Sequence, residues 1–201
     1  MIETAKASLK TGNETFLENG RRSDFTVSDF WKWSSSDLLN NAMRGVLAEF
    51  IVGTALECKS KFRVEWDAYD IQTKSGLKIE VKSSAYLQSW KQEKLSTISF
   101  GIAPTCSLDA KTNEYSKKKE RQSDVYVFCL LDEKDPKKIN PMDLDQWKFY
   151  VLATEVLDIK LGAQKTIRLK PMTDLGAKEV KFIELKDAVD RIPPKKDHLT
   201  F

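Results

Sequence analysis

The sequence predicts an α/β fold of the α+β type, in which helices flank a central mixed β-sheet. Three patterns predict it. Apolar residues recur at helical spacing from Asp37 to about Glu57, and two alternating strands follow between Val64 and Lys82. The segment Asp124 to Leu131 is a nearly continuous apolar run, which is typical of a strand buried on both faces.

The chain is predicted to form a single domain over residues 1–201, because a chain of this length with 41% hydrophobic residues can bury one core. Residues 1–33 are expected to be a peripheral N-terminal segment, residues 37–157 the approximate core, and residues 187–201 a tail. Aromatic residues cluster in the first segment, where docking on the core is the main expectation and base stacking the open alternative. They are Phe25, Phe30, Trp31 and Trp33.

The first core element is a helix with an acidic residue near its apolar stripe. Ser34 to Ser36 supply an N-cap, and Asp37 is favourable at the positive end of the helix dipole. Glu49 falls on or beside the apolar stripe of this helix. Two ordinary explanations stay open, a boundary glutamate that reaches water or a salt bridge with Arg44.

The next element is a hairpin that brings charged residues together. Lys74 to Gly76 is a turn signal, since glycine supplies the positive φ that a tight reversal needs. Asp70 ends the first strand, while Glu80 and Lys82 share one face of the second. Desolvating such charges is costly unless they are paired or bind a metal, so this hairpin is where we expect chemistry.

Further strands are predicted after the hairpin to complete the sheet. They cover residues 96–103, 124–131 and 147–153, and a short helix capped by Thr154 follows the last. Residues 165–169 and 180–185 are candidate short strands. Residues 105–123 form a polar loop by composition, with a basic run from Lys117 to Arg121 that is either solvated or in contact with phosphates.

A Glu-x-Lys triplet alone is weak evidence, because this chain contains four of them. They are Glu57/Lys59, Glu80/Lys82, Glu179/Lys181 and Glu184/Lys186. Position favours Glu80/Lys82, which follows a capped helix with an inward acid and precedes several strands. Only fifteen residues follow Lys186, too few to build a central sheet around the last triplet.

The order of these residues resembles the PD-(D/E)XK nuclease superfamily, the restriction-endonuclease-like fold. The resemblance rests on Glu49 in a leading helix, Asp70, and the triplet Glu80-Val81-Lys82 on a returning strand, and it covers about residues 37–153. Tyr69 stands where the family name has proline. Asp67 is a second candidate for the aspartate, and we prefer Asp70 because it lies nearest the turn.

The resemblance implies a metal-dependent phosphodiesterase. Mg²⁺, with Mn²⁺ as a substitute, would be bound by Asp70, Glu80, the carbonyl of Val81 and Glu49. Lys82 would orient the attacking water and stabilise charge on the phosphoryl group, while the metal lowers the pKa of that water. The candidate substrate-binding residues are Gln88, Lys91, Lys94, Lys117, Lys118 and Lys119.

We therefore expect a Mg²⁺-dependent endonuclease that hydrolyses DNA, with restriction or foreign-DNA defence as a role. The alternative is a catalytically inactive nuclease-like module that binds nucleic acid or a protein partner. RNA as a substrate and a homodimer as the assembly are left open. The only histidine is His198, which argues against a histidine-based triad.

The expected location is the cytoplasm, with no membrane association. The three widely spaced cysteines do not suggest a disulfide framework, and no apolar run approaches membrane-spanning length. The net charge of +3 says little about partners, so contact with nucleic acid would come from local basic patches.

The choice between the two aspartates gives the first testable prediction. Asp70→Asn should abolish Mg²⁺-dependent cleavage of plasmid DNA, because it removes a charged metal ligand, whereas Asp67→Asn should retain much of it. The reverse result in a nicking assay would move the site to Asp67.

Overall fold

The computed structural model describes residues 7–58, 63, 68–106, 108–109 and 114–195. The chain forms two compact units, which comprise residues 1–38 and 39–201. Part of the predicted hairpin, residues 64–67, lies outside the described residues, and so does His198. Asp67 is among these residues.

Eleven strands and five α-helices lie in the described part of the chain. In chain order they are β1 (Thr15–Glu18), β2 (Arg21–Thr26), α1 (Val27–Ser35), α2 (Asn41–Ala55), β3 (Ile71–Gln72), β4 (Lys78–Ala85), β5 (Ser99–Gly101), β6 (Leu108–Asp109), β7 (Glu114–Tyr115), β8 (Val125–Leu131), β9 (Trp147–Ala153), α3 (Thr154–Leu161), β10 (Thr166–Arg168), α4 (Leu169–Asp174), β11 (Lys178–Val180) and α5 (Leu185–Asp190). None of the helices in these ranges is both long and apolar enough to cross a membrane.

The N-terminal unit is a β-hairpin followed by a helix. Asn19 and Gly20 connect β1 to β2 with φ values of 50° and 76°, the double positive φ of a tight hairpin turn. Thr26 and Asp29 form a capping box at the start of α1. The aromatic residues singled out in this segment keep 42–85% of their surface exposed, and their docking on the core stays a prediction. They are Phe25, Phe30, Trp31 and Trp33.

The second unit is built on a five-stranded sheet in the order β11-β9-β8-β4-β3. β4 and β8 are parallel over seven residue pairs, from Ile79 opposite Val125 to Ala85 opposite Leu131, and the other neighbours are antiparallel. The predicted fold, a mixed central sheet flanked by helices, is confirmed. A parallel pair needs a long crossover, which residues 86–124 supply.

Both faces of this sheet are buried, and the alternation of side chains assigns each residue to a face. All seven residues of β8 are buried. Helix α2 packs on the face that carries Ile79 and Val81, and α3 belongs to the cluster on the opposite face. Glu80 and Lys82 alternate with Ile79 and Val81, so they belong to the opposite face.

Strand β3 is an edge strand of only two residues. Within the described residues, β4 therefore has no strand partner on that side beyond Ile79, although it continues to Ala85. Glu80, Val81 and Lys82 lie in this stretch of β4, which has no described strand partner on that side.

Several elements differ from their predicted bounds. Helix α2 begins at Asn41 rather than near Asp37, because the Asn40 side chain accepts hydrogen bonds from the amides of Ala42 and Met43. The expected loop at 105–123 contains the short β6–β7 pair. β5 pairs with β10 rather than with the central sheet. The segment from residue 187, expected as a tail, begins within α5, whose Val189 is fully buried.

Arg121 is a structural residue, which corrects its inclusion in a phosphate-binding run. Its side chain is 1% exposed and donates to the carbonyl of Ile102 at 2.8 Å and to Asp158 at 2.7 Å. Lys195 also binds Asp158, at 2.8 Å, and its amide donates to Asp124. This network ties the crossover and the C-terminal end of the described chain to α3.

The burial of Arg121 predicts a large cost for removing it. Arg121→Ala should lower the free energy of unfolding by about 3 kcal/mol, because it removes a buried cation, leaves the Ile102 carbonyl without its donor and leaves Asp158 with Lys195 alone. Lys118→Ala removes an exposed ion pair to Glu120 and should cost less than about 0.5 kcal/mol. Urea denaturation of both variants measures the difference, and equal effects would contradict the structural role.

Candidate functional site

The turn between β3 and β4 fixes the position of Asp70. Gly76 adopts a φ of 92°, and the Thr73 amide bonds to the Leu77 carbonyl at 2.9 Å. The register pairs Ile71 with Ile79, and the Asp70 amide donates to the Ile79 carbonyl at 3.0 Å. Asp70 therefore lies one residue beyond the paired strand, next to Glu80.

The carboxylate of Asp70 is held by the backbone of β4. The amide of Val81 donates to its Oδ2 at 2.7 Å. Although Asp70 as a residue is exposed, its carboxylate is desolvated by surrounding protein. This desolvation and the negative charge of Glu80 raise the pKa of Asp70 to about 7, against the opposing effects of the Val81 hydrogen bond and the Lys82 charge.

Glu80 and Lys82 form an ion pair with each other. Lys82 Nζ donates to Glu80 Oε1, and the two side chains are 33% and 20% exposed respectively. The pair lies two residues apart on one face of β4, as the alternation of the strand requires. One acid of the site is thus already compensated by a cation.

Glu49 is compensated by a residue that the sequence did not indicate. Arg63 Nε donates to Glu49 Oε2 at 2.6 Å and Arg63 Nη2 to Oε1 at 3.0 Å. The predicted alternative partner, Arg44, does not bind Glu49 among the described contacts. Glu49 is close enough to Asp70 for its charge to raise the pKa of Asp70. No motif marks Arg63, which is one of several basic residues between the helix and the hairpin.

The donor set suits Mg²⁺ in part. Asp70 and Glu80 offer two neighbouring carboxylates, and Mg²⁺ commonly uses one or two carboxylates and keeps several waters. Among the residues that the structure describes, no group of three or more His, Cys, Asp or Glu side chains is arranged to hold a metal ion. Two carboxylates thus fit a hydrated Mg²⁺ ion, while Glu49, bound to Arg63, does not complete a three-acid group. The carbonyl of Val81 as a ligand stays a prediction.

Gln88 lies in a separate hydrogen-bonded network. Its Oε1 accepts from Arg44 Nη1 at 3.1 Å, and its Nε2 donates to the Ala85 carbonyl at 2.9 Å and to Ser96 at 3.2 Å. Arg44 is 4% exposed, its burial lowers its pKa, and its Nε has no hydrogen-bond partner in the described structure. The amide of Gln88 thus links α2 to the segment after β4, which leaves it little capacity for a substrate.

The candidate phosphate-binding lysines are exposed and are not brought to the carboxylates by any described contact. They are Lys91, Lys94, Lys117, Lys118 and Lys119. Lys118 forms an ion pair with Glu120 at 3.2 Å. Their role in binding a substrate stays a prediction.

Comparison with known proteins gives one family match. The model of the family described as Bacteriophage T4 endonuclease IV matches residues 17–170, which is more than half of the chain and includes Glu49, Asp70, Glu80 and Lys82. A solved structure of a bacterial homing endonuclease is similar at 20% identity and a TM-score of 0.35, covering 64% of this chain and 76% of that one. No curated protein matches the sequence.

The raised pKa of Asp70 predicts how this site affects stability without divalent cations. The folded state binds the Asp70 proton more tightly than the unfolded chain does, so the stability from the protonated form is fully present below about pH 4 and is lost as the pH rises through about 7. Asp70→Asn cannot ionise and should therefore raise Tm more at about pH 8 than at about pH 5. Thermal unfolding in EDTA, followed by circular dichroism, measures this.

The matched control is Asp24→Asn, at an exposed aspartate of β2. Its effect on Tm should not differ between the two pH values. A pH-independent effect of Asp70→Asn would contradict the raised pKa.

Proposed function

This chain belongs to the Bacteriophage T4 endonuclease IV family, and from that premise we propose that it is a Mg²⁺-dependent endonuclease that hydrolyses DNA phosphodiester bonds. The proposed active site comprises Asp70, Glu80, Lys82 and Glu49, and Mn²⁺ would substitute for Mg²⁺. The observation that supports it most is the Asp70 carboxylate, held on the Val81 amide beside the Glu80–Lys82 pair.

This arrangement is costly for a purely structural hairpin. The desolvated Asp70 lies close enough to Glu80 for the charge of Glu80 to raise its pKa, a repulsion that weakens the fold wherever both are ionised. Carboxyl groups with such perturbed pKa values are concentrated at functional sites. The proximity of Glu49 adds a third acid to the same surroundings.

Asp70, Glu80, Val81 and Lys82 have separate tasks in the proposed mechanism. Asp70 and Glu80 would hold Mg²⁺, which supplies Lewis-acid polarisation of the phosphoryl oxygen and a lowered pKa of water. The Val81 amide keeps Asp70 oriented. Lys82 orients the attacking water and places a positive charge where negative charge develops on the phosphoryl group.

Membership of the PD-(D/E)XK superfamily is part of the same proposal. The order Glu49, Asp70, Glu80 and Lys82 supports it, as does a mixed sheet in which the strand of the Glu-x-Lys triplet pairs in parallel with β8. Restriction or foreign-DNA defence is the proposed role. The free thiols of the described cysteines support a reducing compartment such as the cytoplasm.

One observation favours a second candidate, an inactive nuclease-like module that binds nucleic acid or a protein. Glu49 is bound by Arg63, and the described acids do not form a three-membered metal group. An inactive module would bind DNA without cutting it, whether or not Lys82 is present.

Lys82→Ala separates the two candidates. The charge of Lys82 acts mainly when negative charge builds on the phosphoryl group, so its loss should lower turnover by a factor on the order of 10²–10³ and leave DNA affinity nearly unchanged. A plasmid-nicking assay in Mg²⁺ measures turnover, and fluorescence anisotropy in Ca²⁺ measures affinity.

Lys178→Ala is the matched control, at an exposed lysine of β11, and should nick at the wild-type rate. Equal nicking by Lys82→Ala would exclude this site. If neither the wild type nor the variants nick DNA while all bind it, the inactive module is the better description.

A further inference from the structure

Arg63 and Glu49 form a two-pronged ion pair at the candidate site. Two N–H groups of one guanidinium bind both oxygens of one carboxylate, at 2.6 and 3.0 Å. The Glu49 side chain is 17% exposed and the Arg63 side chain 37% exposed, so the acid is largely covered while the arginine still reaches solvent. The planar guanidinium matches a phosphate in the same geometry as it matches a carboxylate.

The charges around Asp70 are close to balance without a cation. Glu80 is paired with Lys82 and Glu49 with Arg63, whereas Asp70 has a backbone amide and, within the described contacts, no cationic partner of its own. When Asp70 is ionised, three carboxylates and two cationic side chains give a net charge of −1. A divalent cation would change this to +1, and one phosphodiester group would then restore neutrality.

We propose that Arg63 is a substrate-binding residue that exchanges the Glu49 carboxylate for a DNA phosphate when a divalent cation binds, an inference that rests on the proposed function. Beside a divalent cation held by Asp70 and Glu80, the Glu49 carboxylate would be attracted to the ion and the Arg63 guanidinium repelled by it. Arg63 then presents its paired N–H donors to the phosphate that the cation also attracts. Arg63 therefore opposes cation binding in the absence of DNA and favours DNA binding in its presence.

The first arm of the test measures cation affinity without DNA. Isothermal titration of the full chain with Mn²⁺ should show that Arg63→Gln binds the ion roughly 3- to 10-fold more tightly than the wild type, because Glu49 is released from its hydrogen-bonded ion pair. Arg63→Lys keeps the positive charge but loses the paired N–H donors, so its Mn²⁺ affinity should lie between those of the wild type and Arg63→Gln. Arg168→Gln, at an exposed arginine of β10, should match the wild type.

The second arm measures DNA affinity in Ca²⁺, with a fluorescein-labelled oligonucleotide in single-stranded and duplex form. Arg63→Gln should bind more weakly to whichever DNA form the wild type binds more tightly. The slope of log affinity against log salt concentration should become shallower by about 1, as expected for the loss of one phosphate contact. Arg168→Gln should again match the wild type.

Tighter Mn²⁺ binding together with weaker DNA binding by Arg63→Gln supports the exchange, since loss of a purely structural residue would not strengthen cation binding. Unchanged or weaker Mn²⁺ binding by Arg63→Gln overturns it, and so does unchanged DNA affinity. If the proposed function is wrong, the wild type itself binds no Mn²⁺. That result would overturn the exchange as well, and it differs from a change seen only in Arg63→Gln.

Discussion

The hydrogen bond from the Val81 amide to the Asp70 carboxylate is the contact on which the candidate site depends. It is 2.7 Å long and joins the residue before the edge strand β3 to the part of β4 that β3 does not pair with. Because β3 pairs over only two residues, the amide of Val81 is left for a side chain instead of a neighbouring strand. The same bond holds the Asp70 carboxylate beside Glu80, where desolvation first and the repulsion from Glu80 second raise its pKa. A longer β3 would satisfy the Val81 amide by regular pairing and leave Asp70 without this anchor.

Two local ion pairs make this crowding of acids tolerable. Lys82 compensates Glu80 from the same strand, and Arg63, which itself lies outside the described helices and strands, compensates Glu49. Asp70 between them has a backbone donor instead of a cation. Arg44, by contrast, is a buried cation whose donors mostly reach neutral acceptors, including Gln88. Through Gln88 it ties the helix that carries Glu49 to the segment that follows the strand of Glu80.

The sequence predicted those parts of the fold and site whose cause is local. The hairpin register follows from alternation and the turn at Gly76, and it accounts for Asp70 lying beside Glu80. The buried strand at residues 125–131 follows from its unbroken apolar run. The start of α2 differs from the prediction, because Ser34 and Ser35 end α1 and the side chain of Asn40 caps α2. The pairing of Glu49 with Arg63 spans fourteen residues and that of β5 with β10 many more, so neither leaves a local pattern to read.

The position of β8 in the chain has a consequence for how the protein is made. Glu49, Asp70, Glu80 and Lys82 all precede residue 83, but the strand that β4 pairs with in parallel begins only at Val125. Every proposed active-site residue is therefore synthesised well before β8, the strand that completes the sheet. Until then, β4 lacks its parallel neighbour in the sheet, and a non-local pairing of this kind closes slowly. A chain truncated before β8 would carry all four of these residues without the strand that supports them, so neither nascent nor prematurely terminated chains would have an assembled site.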